Sequence, residues 1–160
     1  MAEIKTVVRT DNLAGIIDGS KLRTVRFYAE DEQKAIENGA VVTVGGIEEG
    51  SRDVRVATAP TDGEELGKLA LIASSELMYD EGNGLEDFEN PAGATCLAYI
   101  LCSNDEFSLT AEGFNGTPAK GKGVKAGTDT KWAIVDDGGI GEIIAVEYEG
   151  GYTYYVIHIN

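Results

Sequence analysis

Short runs of β-branched and aromatic residues, separated by Gly, Asp and Asn, recur along almost the whole chain. Such runs favour strands and their separators favour turns, so the chain is predicted to form many short strands. The predicted strands cover residues 4–8, 23–29, 40–45, 52–58, 68–74, 94–102, 105–110, 123–126, 131–136, 141–148 and 152–159. One short helix is predicted over residues 31–38, because acidic residues open this segment and Gly39 follows it. The predicted fold class is all-β, either a barrel or a sandwich.

The 160 residues are sufficient for one domain with its own core. Residues 1–20 show no sustained hydrophobic period, and they are predicted to form an extended amino-terminal arm. Residues 21–160 are predicted to form a single β-rich domain, in which the acidic residues 78–93 form a long surface loop. No signal pattern and no apolar run of membrane-spanning length is visible, so we expect a soluble protein that is not exported and has no membrane partner.

The chain carries 28 acidic and 13 basic residues, a formal net charge of -15. This balance argues against a nucleic-acid partner, since phosphate contacts need clustered Lys and Arg. The basic residues are concentrated in the first third, and residues 69–119 contain none. The surface is therefore predicted to be polarised.

The carboxyl terminus predicts a hairpin with a two-residue turn at residues 150–151, because two glycines can adopt the positive φ angles of a type I′ turn. This register would pair Val146 with Tyr155, Ile144 with Ile157 and Tyr148 with Thr153. These side chains, together with Ile159, would face the core.

Cys96 and Cys102 lie six residues apart in one predicted strand. At about 3.3 Å per residue their separation is about 20 Å, which is too far for a disulfide. Both are predicted to be buried apolar residues of a reducing compartment. His158 is the only histidine, so neither a zinc site nor a histidine-dependent catalytic group is predicted, and the chain is not expected to be an enzyme.

The stretch GTPAKGKG at residues 116–123 comes close to a phosphate-binding loop. However, Gly123 stands where a Ser or Thr would bind the metal, Pro118 lies inside the loop, and strand-like residues follow instead of a helix. The stretch is therefore predicted to be a turn between strands.

The acidic stretch at residues 80–89 does not fit a calcium-binding loop, because Gly82 and Gly84 stand at ligand positions. A looser cation site remains an alternative, with the carboxylates of this stretch as ligands: Asp80, Glu81, Asp87 and Glu89. We predict a solvated loop, with no metal and no cofactor.

Several blocks follow one another in a fixed order: RDVRVATAP (52–60), LALIASSELMYDE (69–81), FENPAGATCLAYIL (88–101), DEFSLTAEGF (105–114) and GEIIAVEYEGGYTYYVI (141–157). Together they resemble the head decoration, or capsid cement, proteins of tailed bacteriophages. The resemblance implies a non-enzymatic virion structural protein, made in the host cytoplasm, that binds the major capsid protein on the outer surface of the head and stabilises the shell. It leaves open whether the protein is a monomer or a trimer.

The predicted partner-binding residues belong to the amino-terminal arm, whose aperiodic apolar residues suit strand addition to another chain. They are Ile4, Val7, Val8, Arg9, Leu13, Ile16 and Ile17. Two alternatives stay open: a tail or head-tail connector component, and a ligand- or sugar-binding β-barrel in which Trp132 stacks on the ligand together with Tyr152, Tyr154 or Tyr155.

Overall fold

The computed structural model of this protein describes residues 4–10, 13, 19–76 and 84–160. Twelve strands and four short 3-10 helices make up the regular structure of these residues. The 3-10 helices are Gly19–Lys21, Leu66–Lys68, Leu85–Asp87 and Ala111–Gly113. None of the described helices is long and apolar enough to cross a membrane. The all-β prediction is confirmed.

One sheet closes into a five-stranded barrel. Its strands, in order around the barrel, are β1 (Leu22–Ala29), β4 (Val54–Thr58), β3 (Val41–Ile47), β5 (Leu69–Ile72) and β6 (Cys96–Ile100). The barrel closes because β1 pairs with β6 as well as with β4. The β1–β4 pair is parallel and the other pairs are antiparallel, while β2 (Glu32–Gln33) extends β1 as a short hairpin.

The second sheet has six strands. Their order is β7 (Glu106–Leu109), β12 (Tyr152–Ile159), β11 (Gly141–Glu149), β9 (Gly123–Ala126), β10 (Trp132–Val135) and β8 (Phe114–Asn115). This sheet packs on the outside of the barrel, so the molecule combines the barrel and the layered arrangement that the sequence left as alternatives.

Alternation along β5 explains how two cores form. Leu69 and Leu71 point into the core between the barrel and the second sheet, whereas Ala70 and Ile72 point into the barrel. Because successive side chains of a strand face opposite sides, a strand that is apolar at every position can serve both cores.

The strand β6 lies between the same two cores. Cys96 and Ala98 face the barrel interior, while Tyr99 and the following Leu101 contact the core between the sheets. The prediction of a strand covered on both faces is confirmed. The prediction that Cys102 is buried is wrong: it follows the end of the strand and is exposed.

The predicted helix over residues 31–38 is wrong. Glu30 and Asp31 have φ angles of 54° and 63° and form a two-residue hairpin turn, which pairs Tyr28 with Gln33. Of the acidic residues that open the predicted helix, Asp31 occupies this turn, where Asp tolerates positive φ better than most residues, and Glu32 begins β2.

The carboxyl-terminal hairpin has the predicted turn. Gly150 and Gly151 have φ angles of 58° and 87°, and Val146 pairs with Tyr155 as expected. The predicted strand pairing next to the turn is therefore confirmed.

Further from this turn the predicted register is wrong, because β11 contains a β-bulge between Ile143 and Ala145. Ile157 pairs with Ile143 and not with Ile144. Ile143 is consequently buried in the core, whereas Ile144 is exposed to solvent.

Candidate partner-binding surface

The amino-terminal segment lies along the free edge of β7. Val8 forms a β-bridge with Leu109, the Arg9 amide donates to the Ser108 carbonyl at 3.2 Å, and the Thr110 amide donates to the Val7 carbonyl at 3.0 Å. Val7 and Val8 are buried, and Val8 belongs to the core between the sheets. These two predicted partner contacts therefore lie inside the domain.

Polar contacts hold this segment between the barrel and the hairpin. The Thr6 hydroxyl donates to Glu37 at 3.0 Å, and Lys5 pairs with Glu89 at 3.3 Å. Arg9 pairs with Glu147 at 2.8 Å, and its guanidinium carbon lies 5.9 Å from the centroid of the Tyr154 ring.

The other predicted arm contacts have different positions. Ile4 has an exposed fraction of 58%, and Leu13 is half-buried against the core between the sheets. Ile16 and Ile17 lie outside the described residues. The Ile4 side chain is therefore accessible to a partner, and its contact with a partner stays a prediction.

The Leu85–Asp87 turn connects the amino-terminal segment to the hairpin. Its Glu86 carbonyl accepts a hydrogen bond from the Lys5 amide at 2.8 Å, and its Glu86 carboxylate accepts one from the Tyr152 hydroxyl. This side-chain hydrogen bond lowers the pKa of Glu86 and raises the pKa of Tyr152. These two hydrogen bonds connect the amino-terminal segment, the turn and the hairpin to one another.

The hairpin and the two segments bound to it expose four large hydrophobic side chains, and we call these four the hairpin surface: Ile4, Leu85, Ile144 and Tyr148. Tyr148, which pairs with Thr153, lies on the face of β11 opposite Glu147, the residue that contacts Arg9. Tyr148 has the highest exposed fraction among them, 79%. Single exposed hydrophobics are ordinary, but the large exposed hydrophobics of the described residues number six, and four belong to this hairpin or to segments bound to it. The prediction that Tyr148 pairs with Thr153 is confirmed, whereas the prediction that Tyr148 faces the core is wrong, because its side chain is largely exposed.

One edge of β11 is open beyond the bulge. In a two-residue hairpin Glu149 bonds to Tyr152, so the backbone groups of Val146 and Tyr148 point away from β12. On that side β9 pairs with β11 only at Gly141 and Glu142. The outward backbone groups of Val146 and Tyr148 therefore have no partner among the described residues.

Trp132 cannot stack on a ligand in this structure. It is fully buried, and its indole N–H donates to the Gly39 carbonyl at 3.1 Å. Tyr154 is also buried, and the Tyr152 hydroxyl is bound to Glu86. The sugar-binding alternative thus lacks the stacking residue on which it was based.

The stretch at residues 116–123 is a turn, as predicted. It links β8 to β9 without entering a helix, and Gly116 and Gly121 both have positive φ angles, of 98° and 91°. Lys122 pairs with Asp136 at 2.7 Å; this hydrogen bond raises the pKa of Lys122 and lowers that of Asp136.

The acidic stretch gives no cation site in its described part. Asp87 accepts a hydrogen bond from the Gly84 amide at 2.8 Å, and Glu89 pairs with Lys5. Asp80 and Glu81 lie outside the described residues. Among residues 4–10, 13, 19–76 and 84–160, no group of three His, Cys, Asp or Glu side chains could hold a metal ion.

The two cysteines differ in reactivity. Burial raises the pKa of the Cys96 thiol to about 11, whereas Cys102 is exposed. At pH 8 we expect a thiol reagent to label one cysteine of the folded protein and two of the unfolded protein, measured by intact mass. Cys102→Ser should abolish labelling of the folded state; rapid labelling of that variant would mean that Cys96 is accessible.

His158 lies on the face of β12 opposite the core, and its Nδ1 is 2.8 Å from Glu106 Oε2 on β7. This contact joins neighbouring strands across the sheet.

No protein-family model, no curated protein and no solved structure matches this chain.

Proposed function

We propose that this chain is a non-enzymatic virion structural protein that binds the outer surface of a phage capsid and stabilises the shell. Its partner is the major capsid protein. The proposal combines the ordered blocks that resemble head decoration proteins with one structural observation, the hairpin surface beside an open strand edge.

The hairpin surface suits a protein partner because it combines backbone and apolar contacts. An extended segment of the shell protein would bond to the outward N–H and C=O groups of Val146 and Tyr148. Alternate side chains of that segment would contact Tyr148 on one face of the strand and the carboxylate of Glu149 on the other. Binding by added strands needs few specific side chains, which suits a contact repeated over a shell.

Tyr148→Ala should weaken binding to decoration-free shells about 30-fold, corresponding to about 2 kcal/mol for an exposed aromatic that becomes buried at an interface. Val146→Pro should also weaken binding, because it removes an outward N–H without removing a bond to β12. Co-sedimentation of purified chain with shells measures both effects.

Tyr28→Ala provides the matched control, because Tyr28 is a half-exposed tyrosine on the barrel. It should leave binding unchanged. Equal binding by the wild type, Tyr148→Ala and Val146→Pro would reject the hairpin surface as the contact.

Deleting residues 1–20 would not test the arm cleanly, because Val7 and Val8 belong to the buried part of the domain. Ile4→Asp is the sharper variant, since Ile4 is exposed and its change should leave folding intact. Loss of shell binding by Ile4→Asp would identify the arm as part of the anchor, whereas full binding would assign it a purely structural role.

Cryo-electron microscopy of virions with and without this chain tests the function itself. Additional density on the outer capsid surface is expected. Additional density at the tail or portal would favour the connector alternative. If the two particles showed no difference in density, a virion role would be rejected.

A further inference from the structure

The two remaining exposed hydrophobics, Leu22 and Ile47, lie at one end of the barrel, where β1 begins and β3 ends. Arg55, near the start of β4, is the register partner of Ile47 on β3 and of Val25 on β1. Arg23 lies two residues before Val25, so its side chain is on the same face of β1 as the Val25 side chain.

Arg52 belongs to the turn that joins β3 to β4 at this same end. We call Leu22, Arg23, Ile47, Arg52 and Arg55 the arginine end of the barrel.

No described carboxylate forms an ion pair with the three arginines of this end. Arg23 donates to the backbone carbonyls of Ser20 and Leu22, at 2.7 and 2.9 Å. Within the described part of the chain, no carboxylate lies within 4.0 Å of the guanidinium nitrogens of Arg23, Arg52 or Arg55.

Seven other basic side chains have carboxylate partners, whereas Lys68, Lys120 and Lys131 have none among the described residues. The seven with partners are Lys5, Arg9, Lys21, Arg26, Lys34, Lys122 and Lys125. The chain has 28 acidic and 13 basic residues, so basic groups are scarce. Three guanidinium groups at one end of the barrel that pair with no described carboxylate of their own chain are available to bind a carboxylate of another molecule.

We infer that the arginine end binds the acidic β1–β2 turn of a second copy of this chain, head to tail. That turn lies at the opposite end of β1 and presents three consecutive exposed acidic residues, Glu30, Asp31 and Glu32, of which Glu32 also pairs with Lys34 at 3.0 Å. Eight residues of β1 separate the two ends by about 23 Å, at about 3.3 Å per residue. One barrel therefore carries both complementary surfaces.

The acidic residues beside the arginine end form no ion pair with its arginines. Glu48 is bound to Arg26, so its carboxylate is engaged. Glu49 and Asp53 are exposed and have no ion pair with described residues. Neither carboxylate therefore pairs with a guanidinium group of the arginine end. Leu22 and Ile47 add exposed apolar area to the proposed contact.

A head-to-tail contact uses two different patches of each copy, so it propagates until a ring closes or a filament forms. This inference does not depend on the proposed capsid role, since it concerns only the chain and its copies.

Sedimentation velocity of the full chain over a concentration series tests the inference. The wild type should self-associate, and added salt should weaken this association, because the contact relies on exposed charges. Arg23→Glu/Arg55→Glu and Glu30→Lys/Glu32→Lys should each weaken self-association at least tenfold. An equimolar mixture of these two variants should associate again, since every contact in it joins opposite charges.

Lys120→Glu/Lys122→Glu is the control, because it makes the same charge change in the turn between β8 and β9 of the second sheet and should associate like the wild type. Circular dichroism confirms that each variant is folded, and Arg52→Glu, at an exposed turn position, provides a second test of the arginine end. A monomeric wild type, association that neither charge reversal changes, or a mixture that stays monomeric would each overturn the inference.

Discussion

Replacing Trp132 by alanine should lower the free energy of unfolding by about 3 to 5 kcal/mol. Trp132 is fully buried between the barrel and the second sheet, and its ring centroid lies 5.5 Å from that of Phe107. Its removal leaves a cavity and takes the indole donor from the Gly39 carbonyl. The total free energy of unfolding of a small domain is about 5 to 15 kcal/mol, so this one change removes a large share of it.

Trp132→Phe separates the two contributions. It keeps an aromatic ring in the core and removes the N–H donor, so the expected loss is smaller, about 1 to 3 kcal/mol. Urea unfolding followed by circular dichroism measures both variants, because the chain has no other tryptophan for fluorescence. A loss below about 1 kcal/mol for Trp132→Ala would contradict the central position of this side chain.

Strand positions were predictable because strand formation depends on local alternation and on local turn residues. Residues 123–126 and 152–159 form strands with the predicted bounds. The turn at residues 150–151 was equally local, since two adjacent glycines favour the required positive φ angles.

The errors occur where local signals fit two structures. Acidic residues at 30–32 suit both a helix start and a hairpin turn, and the pairing of Tyr28 with Gln33 selects the turn. The bulge at Ile144 moves Ile143 into the core. No local pattern distinguishes a bulged strand from a regular one when both residues are isoleucine.

The candidate surface depended almost entirely on nonlocal structure. The open edge of β11 exists because β9 pairs with β11 only at Gly141 and Glu142, which is a property of strand order. The sequence predicts that the apolar residues of the amino-terminal segment contact another surface. For Val7 and Val8 that surface is the edge of β7 in the same chain. Sequence periodicity identifies apolar residues that need a cover; it does not say which surface covers them.

Replacing Asp105 by alanine should lower the free energy of unfolding by about 3 to 5 kcal/mol, because it breaks a buried ion pair on one side only. The Asp105 side chain has an exposed fraction of 4%, and its two oxygens lie 2.5 and 2.6 Å from the Lys21 ammonium. One of these oxygens also accepts a hydrogen bond from the Cys102 amide at 2.8 Å. Lys21 precedes β1 and Asp105 precedes β7, so the pair joins the barrel to the second sheet.

A double-mutant cycle tests whether the pair itself carries this effect. Lys21→Met/Asp105→Leu removes both charges, and its cost should be smaller than the sum of the single variants Lys21→Met and Asp105→Leu, since neither charge is left buried alone. Urea unfolding of all four proteins gives the coupling. If the losses of the single variants simply add, the pair contributes no coupling, and the connection between barrel and second sheet depends on the apolar core around Trp132 instead.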